Sequence, residues 1–227
     1  MKSSDKLIKG IIFDLDGTLI DSDKDIEKVV NFIRKNNLNK KKININRIAS
    51  YTSIGGDILI KKLISNKDYK LYLKIFRSLY QKLKIRKRLI MPGLIDLLKF
   101  IISKKIKIYI CTNKPYNLTN KIINETPLKK FITKYFCSDI YKIKKPNKNF
   151  FTIIQKQIKL HKNQIIFIGD SMVDYNFCKN SDIDFFLFKN KRITYPKKIY
   201  SNLLKSNRIL LDYKKINNLK KAIINYH

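Results

Sequence analysis

Short apolar runs that stop at a carboxylate or a Thr-Asn pair recur along this chain, with helical patterns between them. Residues 8–13 are largely apolar and then meet Asp14, which predicts a parallel strand buried on both faces. Residues 23–37 carry Ile26, Val29, Val30 and Ile33 at helical spacing. An Asn- and Lys-rich stretch, 35–46, leads to a turn at Gly55 and Gly56, and residues 58–64 and 69–83 show two further helical patterns. Pro92-Gly93 restarts the chain ahead of Leu94, Leu97, Leu98 and Ile101, another amphipathic helix. Residues 106–111 read as a strand ending at Thr112-Asn113, 116–124 as a helix and 135–137 as a very short strand. A helix over 148–160 is followed by a strand over 164–168 that ends at Asp170. Residues 184–188 and 208–211 complete the strands.

Strands alternating with helices predict an α/β fold, a Rossmann-like parallel sheet with right-handed crossovers. Residues 22–87 form an inserted helical domain, leaving 1–21 and 88–227 as the sheet-bearing core. In such a sheet, ligands bind beyond the C-terminal ends of the strands. Asp14, Asp16, Thr112, Asn113, Asp170 and Asp174 all follow predicted strands, so residues distant in sequence are expected to meet at one edge.

Length and composition narrow the class. A chain of 227 residues fits one medium domain or a core with a smaller insert. No stretch has the roughly 18 apolar residues of a spanning helix. The first residues are polar rather than leader-like, so the expectation is a cytoplasmic protein with no membrane partner. Cys111, Cys137 and Cys178 are odd in number and widely spaced, which fits reduced structural thiols. The formal charge of +33 would attract any polyanion. It is spread along the whole chain, however, and 105 of 227 residues are Lys, Ile or Asn, all encoded by AT-rich codons. Compositional drift accounts for the bias more readily than a nucleic-acid role, though the two readings of the charge stay open, and no nucleic acid is required as a partner. A phosphorylated substrate would still be steered in.

With only 17 acidic residues, the chain places carboxylates together at two strand ends, Asp14-Leu15-Asp16-Gly17-Thr18 and Gly169-Asp170-Ser171-Met172-Val173-Asp174. Turn and cap roles explain either cluster alone, but poorly explain both. Grouped carboxylates repel unless a cation or proton offsets them, and magnesium prefers such hard oxygen ligands. Asp14 and Asp170 are candidate ligands, with Asp174 in the first turn of a helix starting at Ser171. Asp14 and Asp16, in a loop that Gly17 lets turn sharply, can flank one phosphorus. One carboxylate would attack it while the other protonates the leaving oxygen and later activates water. Thr112, Asn113 and backbone amides can donate to phosphoryl oxygens. Lys145, its loop pinned by Pro146, is the best candidate lysine.

At this point the chain resembles the haloacid dehalogenase-like phosphatases, in particular their phosphoglycolate phosphatase-like branch with a helical cap. Asp14-Leu15-Asp16-Gly17-Thr18-Leu19, Thr112-Asn113, Lys145-Pro146 and Gly169-Asp170-Ser171-x-x-Asp174 match the four family motifs in order, over about residues 8–190. The resemblance implies Asp14 as nucleophile and Asp16 as general acid and base, with a backbone carbonyl offered to Mg2+. Asp170 would complete the metal ligands and Asp174 act through the metal's water shell. Thr112 and Lys145 would hold the phosphoryl group with the Leu15 and Asn113 amides, and Asp16 favours a phosphohydrolase over a dehalogenase. The insert corresponds to the cap, in which Ser53, Gly55 and Gly56 would reach substrate. Two departures stand out: Lys145-Pro146-Asn147-Lys148 replaces a Lys-Pro-His-Pro-like run, and the usual Ala-Gly is replaced near Asn180-Ser181-Asp182.

The expected function is magnesium-dependent hydrolysis of a small phosphorylated metabolite, 2-phosphoglycolate first, through an aspartyl-phosphate, by a monomer or homodimer. Another sugar-phosphate phosphatase, a nucleotidase or a pyrophosphatase is the nearest alternative. A basic nucleic-acid-binding protein on the same fold ranks below these.

Overall fold

Six strands, β1 (Gly10–Phe13), β2 (Lys107–Thr112), β3 (Lys134–Cys137), β4 (Ile165–Gly169), β5 (Asp184–Phe188) and β6 (Ile209–Leu210), form one sheet in the order β3-β2-β1-β4-β5-β6. Every pairing is parallel. The computed structural model describes residues 7–52, 54–86, 89–189, 193–213, 219–220 and 223. The strands sit between two layers. Ile11 and Phe13, with Ile108, Ile110, Ile166 and Ile168, pack into one core, whereas Ile12, Tyr109, Cys111, Ile165 and Phe167 pack into another. Side chains alternate across a strand, so a strand covered on both faces must be apolar throughout. That is why these runs read as continuous hydrophobic stretches.

Four helices, α1 (Asp23–Leu38), α2 (Ile45–Thr52), α3 (Gly56–Leu63) and α4 (Tyr69–Lys82), lie between β1 and α5 (Leu94–Ser103) and pack on one another as a helical cap. Ile26, Val29, Val30 and Ile33 form the buried stripe of α1. The chain enters and leaves this region along adjacent paths. Asp21 N donates to the Leu89 carbonyl at 2.8 Å and Met91 N to the Leu19 carbonyl at 3.0 Å. Arg86 joins the two by pairing with Asp25 at 2.7 Å and donating to the Asp21 carbonyl.

The helices that follow α5 among the described residues include α6 (Tyr116–Asn124), α7 (Ser138–Tyr141), α8 (Lys148–Ile158), α9 (Met172–Ser181) and α10 (Lys197–Lys205). Helix α6 packs on α4 of the cap, where Lys121 Nζ donates to the Leu83 carbonyl at 2.7 Å. The helices α2 and α10 and the single turn α7 were not anticipated from the pattern. The expected boundary between residues 87 and 88 lies outside the described residues, as does Ser53. Among the described residues, no helix is long and apolar enough to cross a membrane.

Candidate active site

The strand order reverses direction at β1, which is flanked by β2 and β4. A crevice opens beyond the strand ends at such a point. The register sets Phe13 beside both Ile110 and Ile168, so the residues that follow emerge at one level. Asp14 is held there by its own N–H, which donates to the Ile168 carbonyl at 2.9 Å.

Carboxylate oxygens of Asp14, Asp170 and Asp174 lie within 4.8 Å of one another, all buried. Lys145 Nζ stands between two of them, 2.7 Å from Asp14 Oδ1 and 2.6 Å from Asp174 Oδ1. Burial lowers the affinity of this lysine for its proton, but Asp14 and Asp174 more than reverse that, so it remains cationic. Asp14 is pushed up to about 7, first by burial, against which Lys145 pulls down and Asp174 pushes further up. Its Oδ2 is buried without a hydrogen-bond partner among the described residues. Three buried oxygen donors, one of them orphaned, fit a hard divalent cation such as Mg2+.

Asp174 does two jobs. Its Oδ2 accepts from Ser171 N at 3.1 Å and from Ser171 Oγ at 2.6 Å, while Ser171 Oγ accepts from Asp174 N at 3.3 Å. This reciprocal capping box starts α9 and leaves Oδ1 for Lys145. The cap role and the chemical role of the Ser-x-x-Asp spacing thus coexist in one side chain. Gly169 makes room for it, since a Cβ there would stand 2.6 Å from Asp174 Cγ. Gly17, with φ of 83°, does the same for Asp170, whose Oδ2 would be 2.0 Å from an added Cβ. The turn carrying Gly17 is also fixed from far away, because Tyr213 Oη donates to the Thr18 carbonyl at 3.0 Å while its ring stacks on Phe188.

Thr112 is buried at the end of β2, and its Oγ1 accepts from Lys114 N at 3.0 Å. The Asn113 side chain serves the Lys145 loop: Oδ1 accepts from Lys145 N at 3.0 Å and Nδ2 donates to the Lys145 carbonyl at 3.2 Å. Nδ2 also lies 3.4 Å from the Ile54 carbonyl of the cap. The Lys145–Pro146 peptide is cis, and Asn180, at one of the departures noted above, donates to the Pro146 carbonyl at 3.1 Å.

The Asp16 side chain lies outside the acidic trio, so its expected metal contact would be through the backbone alone. Its carboxylate pairs with Lys114 Nζ at 3.0 and 3.1 Å, both side chains being buried. Lys114 also stands over the Tyr80 ring of α4, 4.5 Å from the centroid. Sequence reasoning missed this lysine, whose one signal was its place between Thr112-Asn113 and Pro115. Asp16, Asn113 and Lys114 line a cavity of about 40 Å³ with Gly55, Gly56, Phe76 and Arg77 of the cap. Leu15 is buried behind them, its carbonyl accepting from Leu19 N at 3.0 Å and Ile20 N at 3.1 Å.

A family model described as haloacid dehalogenase-like hydrolase matches residues 11–188. The phosphoglycolate phosphatase of Pseudomonas savastanoi pv. phaseolicola is 26% identical over 187 residues, covering 78% of this chain and 68% of that protein. Among solved structures, a predicted phosphoglycolate phosphatase from Haemophilus somnus superposes with a TM-score of 0.81 at 20% identity, over 94% of this chain and 98% of the other. A β-phosphoglucomutase from Clostridium difficile superposes with a TM-score of 0.76 at 18% identity, over 97% and 99%. At these identities the structural likeness establishes the fold alone.

Proposed function

We propose that this chain, which belongs to the haloacid dehalogenase-like hydrolases, hydrolyses a small phosphomonoester, with 2-phosphoglycolate as the leading substrate. One observation carries the reading: two carboxylates in the loop after β1 divide between two environments. Asp14 sits in the acidic trio with Lys145, and Asp16 faces the cavity under the cap. That division suits one group to attack phosphorus and the other to handle protons. Relatives named phosphoglycolate phosphatases support the choice of substrate.

Asp14, Asp170 and the Asp16 carbonyl would hold Mg2+, with Asp174 acting through its shell. The bound ion would offset the negative charge gathered on the carboxylates and the phosphoryl group. Thr112 and Lys145, with the Leu15 and Asn113 amides, hold the phosphoryl oxygens. An Asp14 oxygen attacks phosphorus as the ester P–O bond breaks, and Asp16 passes a proton to the departing oxygen. Asp16 then takes a proton from the water that attacks the aspartyl-phosphate, which releases phosphate and restores Asp14. Lys145 favours the anionic form of Asp14 and so opposes part of the pull of burial. The cap excludes bulk water and disfavours large substrates.

Phosphate release from 2-phosphoglycolate, sugar phosphates, nucleotides and pyrophosphate, with magnesium and with chelator, tests this reading. Wild type should turn over a small ester only with the metal, and Asp14→Asn should lose at least ~1000-fold in kcat while remaining folded. Metal-independent turnover, or turnover that survives Asp14→Asn, would refute the mechanism. Salt-dependent binding of RNA without phosphate release from any substrate would favour the nucleic-acid reading.

A further inference from the structure

Two lysines are buried among the described residues, Lys145 at 2% and Lys114 at 8% exposure, in a chain with 43 lysines. Burying an ammonium is costly unless it is matched by opposite charge. Lys145 is matched by two members of the acidic trio. Lys114 is matched by Asp16 alone, on the other side of the Asp14–Asp16 loop, where it lines the cavity under the cap. Lys114 Nζ donates to both Asp16 oxygens, at 3.0 and 3.1 Å, and lies 4.5 Å from the centroid of the Tyr80 ring, yet it still lines the cavity, where a second anion would meet its charge. Arg77 of α4 adds a second positive charge to the same cavity. The cavity is also small, and its cap side includes Gly55 and Gly56 beside the apolar Leu59, Leu73 and Phe76.

We infer that Lys114 determines specificity, by receiving a second anionic group of the substrate, a carboxylate one or two bonds beyond the ester carbon, while Lys145 serves the phosphoryl end. Two buried cations flanking the reacting loop select a molecule with negative charge at both ends. The inference rests on the proposed phosphatase reading and extends it by naming the residue that discriminates. Tyr80 and Arg77 sit on α4, so the same contact places the cap over a substrate of the right length.

The test compares 2-phosphoglycolate with 2-hydroxyethyl phosphate, which carries a neutral hydroxymethyl group in place of the carboxylate. The readout is the ratio of their kcat/KM values in wild type, Lys114→Met and Lys114→Arg, with Lys114→Gln in reserve if the Met variant does not fold. Loss of one charge-assisted hydrogen bond is worth roughly 10- to 100-fold. The ratio should fall by that factor in Lys114→Met, mainly through KM, and recover in part in Lys114→Arg. A loss common to both esters reports only support of Asp16. An unchanged ratio, or no preference in wild type, would overturn the inference. Calorimetric binding of phosphonoacetate against ethylphosphonate separates the two levels. If wild type hydrolyses no ester, the phosphatase reading fails, and a Lys114-dependent preference for phosphonoacetate still upholds the inference. If hydrolysis occurs without such a preference, the inference alone falls.

Discussion

Asp14 sits in an environment far from what its type suggests. In an unfolded chain it titrates near 3.8, and in the folded, metal-free protein at about 7. Between those values the folded state keeps a proton that the unfolded state has released. Stability attributable to Asp14 is therefore intact below about pH 4, is lost as pH rises toward about 7 and is level above it. The melting temperature of chelator-treated wild type, less that of Asp14→Asn, should decline across this window, and saturating Mg2+ should restore it at pH 8. A flat difference curve would mean that Asp14 ionises without penalty in its buried position. This site was legible in the sequence at Asp14, Asp16, Asp170 and Asp174 because carboxylates are scarce and each follows an apolar run. The role of Lys114 was not, since lysine is the commonest residue and its type alone does not tell which ones the fold turns inward.

Helix α9 shows how an element places chemistry. Its first turn is closed by Ser171 and Asp174, and the same closure aims Asp174 Oδ1 at Lys145. Ser171→Ala removes the hydroxyl while leaving the Asp174 carboxylate in place. It should cost about 1 kcal/mol in urea unfolding and lower kcat several-fold, because Asp174 loses the donor that holds its Oδ2 at 2.6 Å. Unaltered stability and kcat would show that the box is incidental to Asp174. The strands and longer helices were legible because burial on both faces, or a stripe along several turns, leaves a periodic mark. Helix α2 left too little of one: among its eight residues only Ile48 and Ala49 are buried, and the Asn- and Lys-rich stretch before it reads as loop. The last strand was legible as well, since the expected 208–211 contains β6, which pairs with β5. Helix α10 was not, because only Leu203 of its nine residues is buried.

At the scale of the whole molecule, a chain of net charge +33 carries the site proposed to act on an anionic ester. Long-range attraction raises the capture rate of a charged substrate and is screened over about 10 Å at 0.1 M salt. We expect kcat/KM for an anionic ester to fall several-fold between low and high salt, with kcat nearly constant. A parallel fall in kcat would place the salt effect on the cap instead, where the exposed Lys144–Asp57 pair, 3.1 Å apart, joins the two parts. The tie between Tyr213 and Thr18 has a consequence in time. The bond spans 195 residues, which a ribosome adding roughly 5–20 residues per second takes roughly 10–40 s to make. Throughout that interval the turn beside Asp14 and Asp16 exists without the side chain that latches it. Lys145, which neutralises Asp14, is also still to be synthesised for much of the wait. The growing chain thus carries Asp14 and Asp16 early and completes their setting late, once translation has passed Tyr213.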